Sequence, residues 1–314
     1  MRGITVDGCF QMEQATFARR RKLAGFACVS LFTLAIWTVT LPAFEELSDI
    51  RPTFHPITAY ALWMTLFSPA IASLCLLISL PILLPARLVV RFALLLAMVF
   101  CLFIPGSALT VFLQGRFYGW IQFLLTCYSY YYITACIAAP VIVGVMTMEI
   151  VTQIVSRRRL YWASESTSNT NTFSLGAMME LTFIVAFALG ASRTWYDPVN
   201  ATMGLELIMA ILAVPSLFAG WIVIEWLHLV LGCKRPLART RGILLFLAST
   251  FLSAAMMSIS LIGEIGTSRL WIILLSSLAA GTVAGSAFSG TVLLGAFCLR
   301  RCGLRLAVAN EPRG

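Results

Sequence analysis

The sequence predicts an all-α fold: a polytopic integral membrane bundle of eight transmembrane helices with both termini in the cytoplasm. Three observations lead there. The 314 residues are 60% apolar and only 11% charged, with a mean hydropathy of +0.92, whereas a soluble domain carries about 25% charged residues. Eight apolar runs are each long enough for a helix to cross the hydrocarbon core. The basic residues alternate in density between successive connections, as the positive-inside rule requires. Together these exclude a soluble enzyme, a disordered chain, a collagen and a disulfide-rich secreted module.

The runs lie at 23–43, 57–84, 88–113, 119–150, 174–192, 203–231, 242–263 and 270–298. None shows the period-two alternation of barrel strands, so helices satisfy the backbone in lipid. With the N-terminus inside, eighteen of the 22 Lys and Arg fall on the cytoplasmic side. They sit in the N-terminal segment (Arg2 and Arg19 to Lys22), at Arg87 and Arg91, at Arg157 to Arg159, at Lys234, Arg235, Arg239 and Arg241, and at Arg300, Arg301, Arg305 and Arg313. Only Arg51, Arg116, Arg193 and Arg269 fall outside. Removing or adding one span would scramble this division. The net charge of +9 is therefore read as topology, and nucleic-acid binding is set aside.

The first span follows a basic cluster, as a signal peptide would, but it is longer than a typical signal core and ends without a small-x-small site. It is read as an uncleaved helix. Trp120, Trp195 and Trp271 fall at the outer boundary and Trp162 at the inner one, where indole rings favour the interface.

The domain reading follows. Residues 1–22 form a cytoplasmic segment, 23–160 a first four-helix half, 161–173 a polar linker, 174–299 a second four-helix half, and 300–314 a cytoplasmic tail. A parallel four-plus-four repeat would account for some spacings. Trp120-Ile121 and Trp271-Ile272, Gly144 and Gly295, and Pro85 and Pro236 are each 151 residues apart. Any chain with four spans per half would give similar spacings, and both readings stand.

Ionisable groups inside a membrane are costly and mark sites by default. Glu149, Glu180 and Glu225 come from three spans, each about 9–14 Å from a cytoplasmic basic cluster at the helical rise. His228 follows Glu225 at a spacing that puts both on one helix face. This group is the candidate ion, proton or substrate site, and its metal content is unknown; the alternative is a set of ion pairs with nearby Arg and Lys. Tyr128, Tyr130, Tyr131 and Tyr132 in span four would line a polar path or bond neighbouring helices. Gly281 and Gly285 in span eight have the spacing of closely packed helices, in the bundle interior or at a dimer seam. Pro69, Pro81, Pro105, Pro140 and Pro215 interrupt spans and would kink them. Nine Cys avoid the outer loops and form no CxxC, so free thiols are expected.

The stretch Phe173-Ser174-Leu175-Gly176-Ala177-Met178-Met179-Glu180-Leu181-Thr182-Phe183-Ile184-Val185-Ala186 resembles the opening of a span in uncharacterised bacterial multi-span membrane proteins. The resemblance implies a bacterial cytoplasmic membrane and no activity.

Three functions remain. The first is permease-like movement of a small solute or ion. The second is a non-catalytic scaffold or accessory subunit whose acids are structural. The third is an intramembrane enzyme, for which no catalytic residues and no complete constellation are found. No cofactor is expected. The partners are the lipid bilayer and a homo-oligomer or other membrane protein.

Overall fold

The computed structural model describes residues 24, 25, 27–40, 42, 43, 56–83, 158–162, 204–232, 238–265 and 270–308, with isolated positions between 108 and 186. Its helices are α1 (Ala27–Thr40), α2 (Pro56–Leu83), α3 (Gly204–Leu231), α4 (Ala238–Ile265) and α5 (Leu270–Arg301). Two short strands, β1 (Arg158–Trp162) and β2 (Leu304–Val308), complete them. Among the described residues, three helices are long and apolar enough to cross a membrane, over Ile57–Leu80, Arg239–Ile262 and Leu270–Arg301. The chain is thus a helical membrane protein with a small β ribbon at one end.

Each helix forms because an apolar backbone must satisfy its own polar groups. Pro69 lies inside α2 and Pro215 inside α3, yet both helices run through as single elements. Neighbouring helices and local hydroxyls absorb the freed carbonyls of a membrane helix, so a proline need not end it.

The order of contacts fixes the helix directions. On α4 and α5, Ala254 faces Gly281 and Thr250 faces Gly285, and Ser249 Oγ lies 2.8 Å from Ser289 Oγ. Falling numbers on α4 meet rising numbers on α5, so the two are antiparallel. The start of α2 (Ile57, Tyr60, Ala61, Met64) packs with Ile273 near the start of α5, while Leu76 meets Gly295 near its end. Helices α2 and α5 therefore run parallel. The end of α3 lies beside the end of α5, where Arg300 Nη1 donates to the Val230 carbonyl at 3.3 Å. It also lies beside the start of α4, where Trp226 abuts Gly242. Thus α3 runs with α2 and α5, and against α4.

The main core joins α1, α2, α3 and α5. Trp37, Leu74, Leu76, Leu77, Ile222, Leu227 and Val292 are all essentially inaccessible. A hydrogen bond across α1 and α2 sits inside it: Thr33 Oγ1 donates to Val29 O at 2.9 Å and approaches Ser73 O at 3.4 Å. A second core, of Met257, Leu261, Ile273 and Ala280, lies at the other end against α2.

After α5 the chain turns through Gly303, which has a φ of 88°, a left-handed conformation that favours glycine. Cys302 N donates to Cys298 O and Gly303 N to Arg300 O, both at 3.0 Å, which caps the helix. Strand β2 then pairs antiparallel with β1, Tyr161 opposite Arg305 and Trp162 opposite Leu304. By register, Leu160, Trp162, Leu304 and Leu306 share one face, and Arg159, Tyr161 and Arg305 share the other. Leu304 is buried in the main core, so the ribbon is seated on the helix ends. The end of the expected first half and the start of the expected linker (158–162) thus pair with the expected tail (304–308). Every Arg among the described residues (158, 159, 239, 241, 300, 301 and 305) belongs to this one end of the bundle.

Candidate functional site

The candidate site is centred on α3, whose second half is largely enclosed. Ile222, Val223, Ile224, Trp226, Leu227 and Leu231 cover nearly its whole circumference and are buried. A helix that is apolar all round is one that a membrane bundle surrounds. Its one open stripe carries Phe218 and Trp221, which are exposed to 57% and 37%. Glu225 continues this stripe one turn further on and is half-buried.

His228 stands one turn beyond Glu225 and is 7% exposed. Both side chains take part in interactions. The imidazole lies in the last turn of α3, where free carbonyls and the helix dipole favour a cation. Gly232 N bonds back to the His228 carbonyl at 3.0 Å. The Arg300 guanidinium bonds the Val230 carbonyl, so a charge from α5 also serves this terminus. On the same turns of α3, the Trp226 indole Nε1 is buried with no hydrogen-bond partner in the structure.

The arrangement offers one carboxylate and one imidazole on adjacent turns of a central apolar helix. That pair can carry a proton between two groups. Among the described residues, no three His, Cys, Asp or Glu form a group suited to a metal ion. Glu149, Glu180 and the tyrosines Tyr128, Tyr130, Tyr131 and Tyr132 lie outside the described residues.

Gly281 and Gly285 let α4 and α5 approach closely. A Cβ at Gly281 would stand 2.6 Å from Ala254 Cβ and 2.8 Å from Ala254 N, and one at Gly285 would stand 2.7 Å from Thr250 Cα. This seam is within the chain. Beside it, Ser249 Oγ bonds Phe246 O at 2.8 Å, Gly285 O at 3.2 Å and the Ser289 hydroxyl. Most other helical hydroxyls here return to their own helix, as Thr291 does to Ala287 O and Ser79 to Cys75 O. Ser277 is the contrast: its Oγ is buried and has no partner in the structure.

One feature escapes the sequence reading: the Ser249–Ser289 pair depends on the α4–α5 register, which the spacing of Gly281 and Gly285 on α5 alone does not supply. No family model, no curated protein and no solved structure matches this chain.

Proposed function

We propose that this is a permease-like protein of the bacterial cytoplasmic membrane, with eight spans and both termini inside, that moves a small solute or ion through its helix bundle. Glu225 and His228 are the titratable groups of the path, joined by Glu149 and Glu180 at the same depth. The observation that carries the reading is the acid and imidazole held one turn apart on a largely enclosed apolar helix, with His228 only 7% exposed. Intramembrane groups of this kind are retained at a cost in stability, and proton relays are a common reason.

The helix directions support the span count. Helices α2, α3 and α5 would each run inward and α4 outward, which is the alternation the charge distribution demands. The ribbon supports it too, since β1 after span four and β2 after span eight must share one side of the membrane.

The test is thermal unfolding of the detergent-purified protein between about pH 5 and 9, where imidazole titrates, with and without added Mg²⁺, Mn²⁺ or Zn²⁺. A ligand of the native state raises apparent stability by mass action. The proposal expects a proton- or cation-linked shift that disappears in Glu225→Gln. An unshifted wild type, with the variant merely less stable, would refute it.

A second reading has its own observation. The outward face of α5 exposes Trp271, Leu275, Leu294 and Phe297 over the full length of the helix, a surface suited to lipid or to a membrane partner. An accessory subunit would use it, and its acids would serve packing. Loss of assembly in Glu225→Gln without loss of a ligand-linked shift would favour that reading.

A further inference from the structure

Four arginines gather at one end of the α4–α5 pair. Arg239 and Arg241 lie in the first turn of α4, and Arg300 and Arg301 close α5. The helices are antiparallel, with Ala254 facing Gly281, Thr250 facing Gly285 and Ser249 bonded to Ser289. Continued towards the basic end, this register sets Arg239 and Arg241 beside the last two turns of α5. Arg239, Arg300 and Arg301 are exposed and Arg241 is half-buried. Among the described residues none of the four is paired with a carboxylate. Arg300 Nη1 serves the Val230 carbonyl, and the Arg301 guanidinium lies over the Phe297 ring, 5.8 Å from its centroid. Neither contact neutralises a charge.

An apolar surface leads away from these charges. Helices α2 and α3 share one core and flank the pair on one side, where Leu76 meets Gly295 and Trp226 meets Gly242. At the helical period, Leu247 and Phe251 fall on the other side of α4, and Leu293 and Phe297 on the other side of α5. All four are exposed. The two open faces therefore form one surface that starts at the arginines and runs along both helices. This chemistry selects an occupant. A guanidinium fork binds the oxygens of a phosphate. Four unneutralised charges repel one another, and an anion relieves that repulsion. The ammonium of a choline or ethanolamine headgroup would meet the same repulsion. A free phosphate would use the arginines and leave the apolar face unused, whereas an anionic lipid uses both.

We propose that the open face of α4 and α5 holds an anionic phospholipid of the phosphatidylglycerol type, its headgroup at the four arginines and its acyl chains along Leu247, Leu293 and Phe297. Basic clusters between helices at a membrane surface are suited to anionic headgroups. Such a lipid bridges the ends of the two helices, away from the seam at Gly281 and Gly285. The site rests on the membrane reading of the chain and does not depend on transport.

The experiment uses the full chain in detergent, titrated with dioleoyl phosphatidylglycerol or dioleoyl phosphatidylcholine and read by native mass spectrometry. The proposal expects phosphatidylglycerol to bind the more tightly. Its affinity falls about fivefold for each arginine removed in Arg239→Gln and Arg301→Gln, the weight of one basic side chain at an anionic surface. Arg241→Gln, on the same turn of α4 as Arg239, repeats the test independently. Phosphatidylcholine binding and the lipid-free unfolding temperature stay unchanged, which separates a lost site from a lost fold. Arg269→Gln, just before the start of α5 and so at its other end, keeps full affinity, and excess inorganic phosphate leaves the lipid bound. Equal affinity for the two lipids would mean that the arginines serve topology alone and would overturn the site. Undiminished binding in the Arg239→Gln, Arg301→Gln double variant, or an equal loss in Arg269→Gln, would do the same. Displacement by inorganic phosphate would make this a site for free anions and overturn the lipid assignment.

Discussion

Replacing Gly281 or Gly285 by Ala tests the α4–α5 seam with the smallest available probe. The added Cβ at Gly281 would lie 2.6 Å from Ala254 Cβ, where ordinary contact begins at 3.4 Å. Helix α4 must therefore retreat by about 0.8 Å, since the obstacle includes backbone atoms that cannot rotate away. A gap of that size forfeits about a quarter to a half of each dispersion contact along the seam. In lipid this loss is serious, because packing rather than water exclusion holds the helices together. Overpacking of this kind costs about 1–3 kcal/mol. Alanine returns up to about 1 kcal/mol through its helix propensity. The net expectation is a loss of about 0.5–2 kcal/mol for either variant. The double variant should lose less than the sum, because one retreat of α4 relieves both clashes. Gly290 is the control on the same helix, since a Cβ there meets nothing within 4 Å. Gly290→Ala should be neutral or stabilising by up to about 1 kcal/mol. The assay is reversible unfolding in mixed detergent micelles, followed by tryptophan fluorescence. Gly281→Ala and Gly285→Ala as stable as wild type, or Gly290→Ala as damaged as they are, would refute the packing argument.

Three further outcomes follow from the same geometry. Gly295→Ala drives a Cβ into the Leu76 side chain, so it should destabilise by about 1–3 kcal/mol. Adding Leu76→Val should recover part of that loss, and simple addition of the two single effects would contradict the contact. For the Ser249–Ser289 hydroxyl pair at 2.8 Å, a double-mutant cycle to alanine should give a coupling of about 0.6 kcal/mol, the average for interhelical bonds in a membrane protein; zero coupling would mean the hydroxyls do not bond each other. Ser277 Oγ is buried without a partner, so Ser277→Ala removes a desolvated polar group and should stabilise by about 1 kcal/mol. Destabilisation by the same amount would mean the hydroxyl is satisfied in the folded protein.

Much of the helical layout was readable because lipid imposes one demand on both sequence and backbone. The runs expected at 57–84, 203–231 and 270–298 coincide closely with Pro56–Leu83, Gly204–Leu231 and Leu270–Arg301. Differences fall where charge begins. Helix α4 starts at Ala238, ahead of the apolar run at 242, because Arg239 and Arg241 continue the backbone ladder while their long side chains reach water. Helix α5 runs on through Arg300 and Arg301 for the same reason. Helix–helix partners were less readable. A helix that is apolar all round carries no periodic stripe to say which face meets which neighbour, so the enclosure of α3 and the half-exposure of Glu225 required the structure. The exception is span eight, where Gly281 and Gly285 announce a close approach through size rather than hydrophobicity. The β1–β2 ribbon was hidden because its strands are far apart in sequence and short. At the candidate site, the Glu225–His228 spacing was legible from helix geometry, whereas the bonds that Arg300 and Gly232 make at the same helix terminus depend on tertiary contacts.

The alternation of spans is the premise on which the transport reading and the site depth both rest. It is tested most directly by labelling single cysteines, introduced in a cysteine-free background, with a membrane-impermeant maleimide applied to intact cells. Positions Asp49, Asn200 and Thr267 are expected to react from outside. Positions Ser166, near strand β1, and Glu311, beyond strand β2, are expected to react only after the membrane is opened. Labelling of Ser166 and Glu311 from opposite sides would contradict the ribbon and the eight-span alternation together.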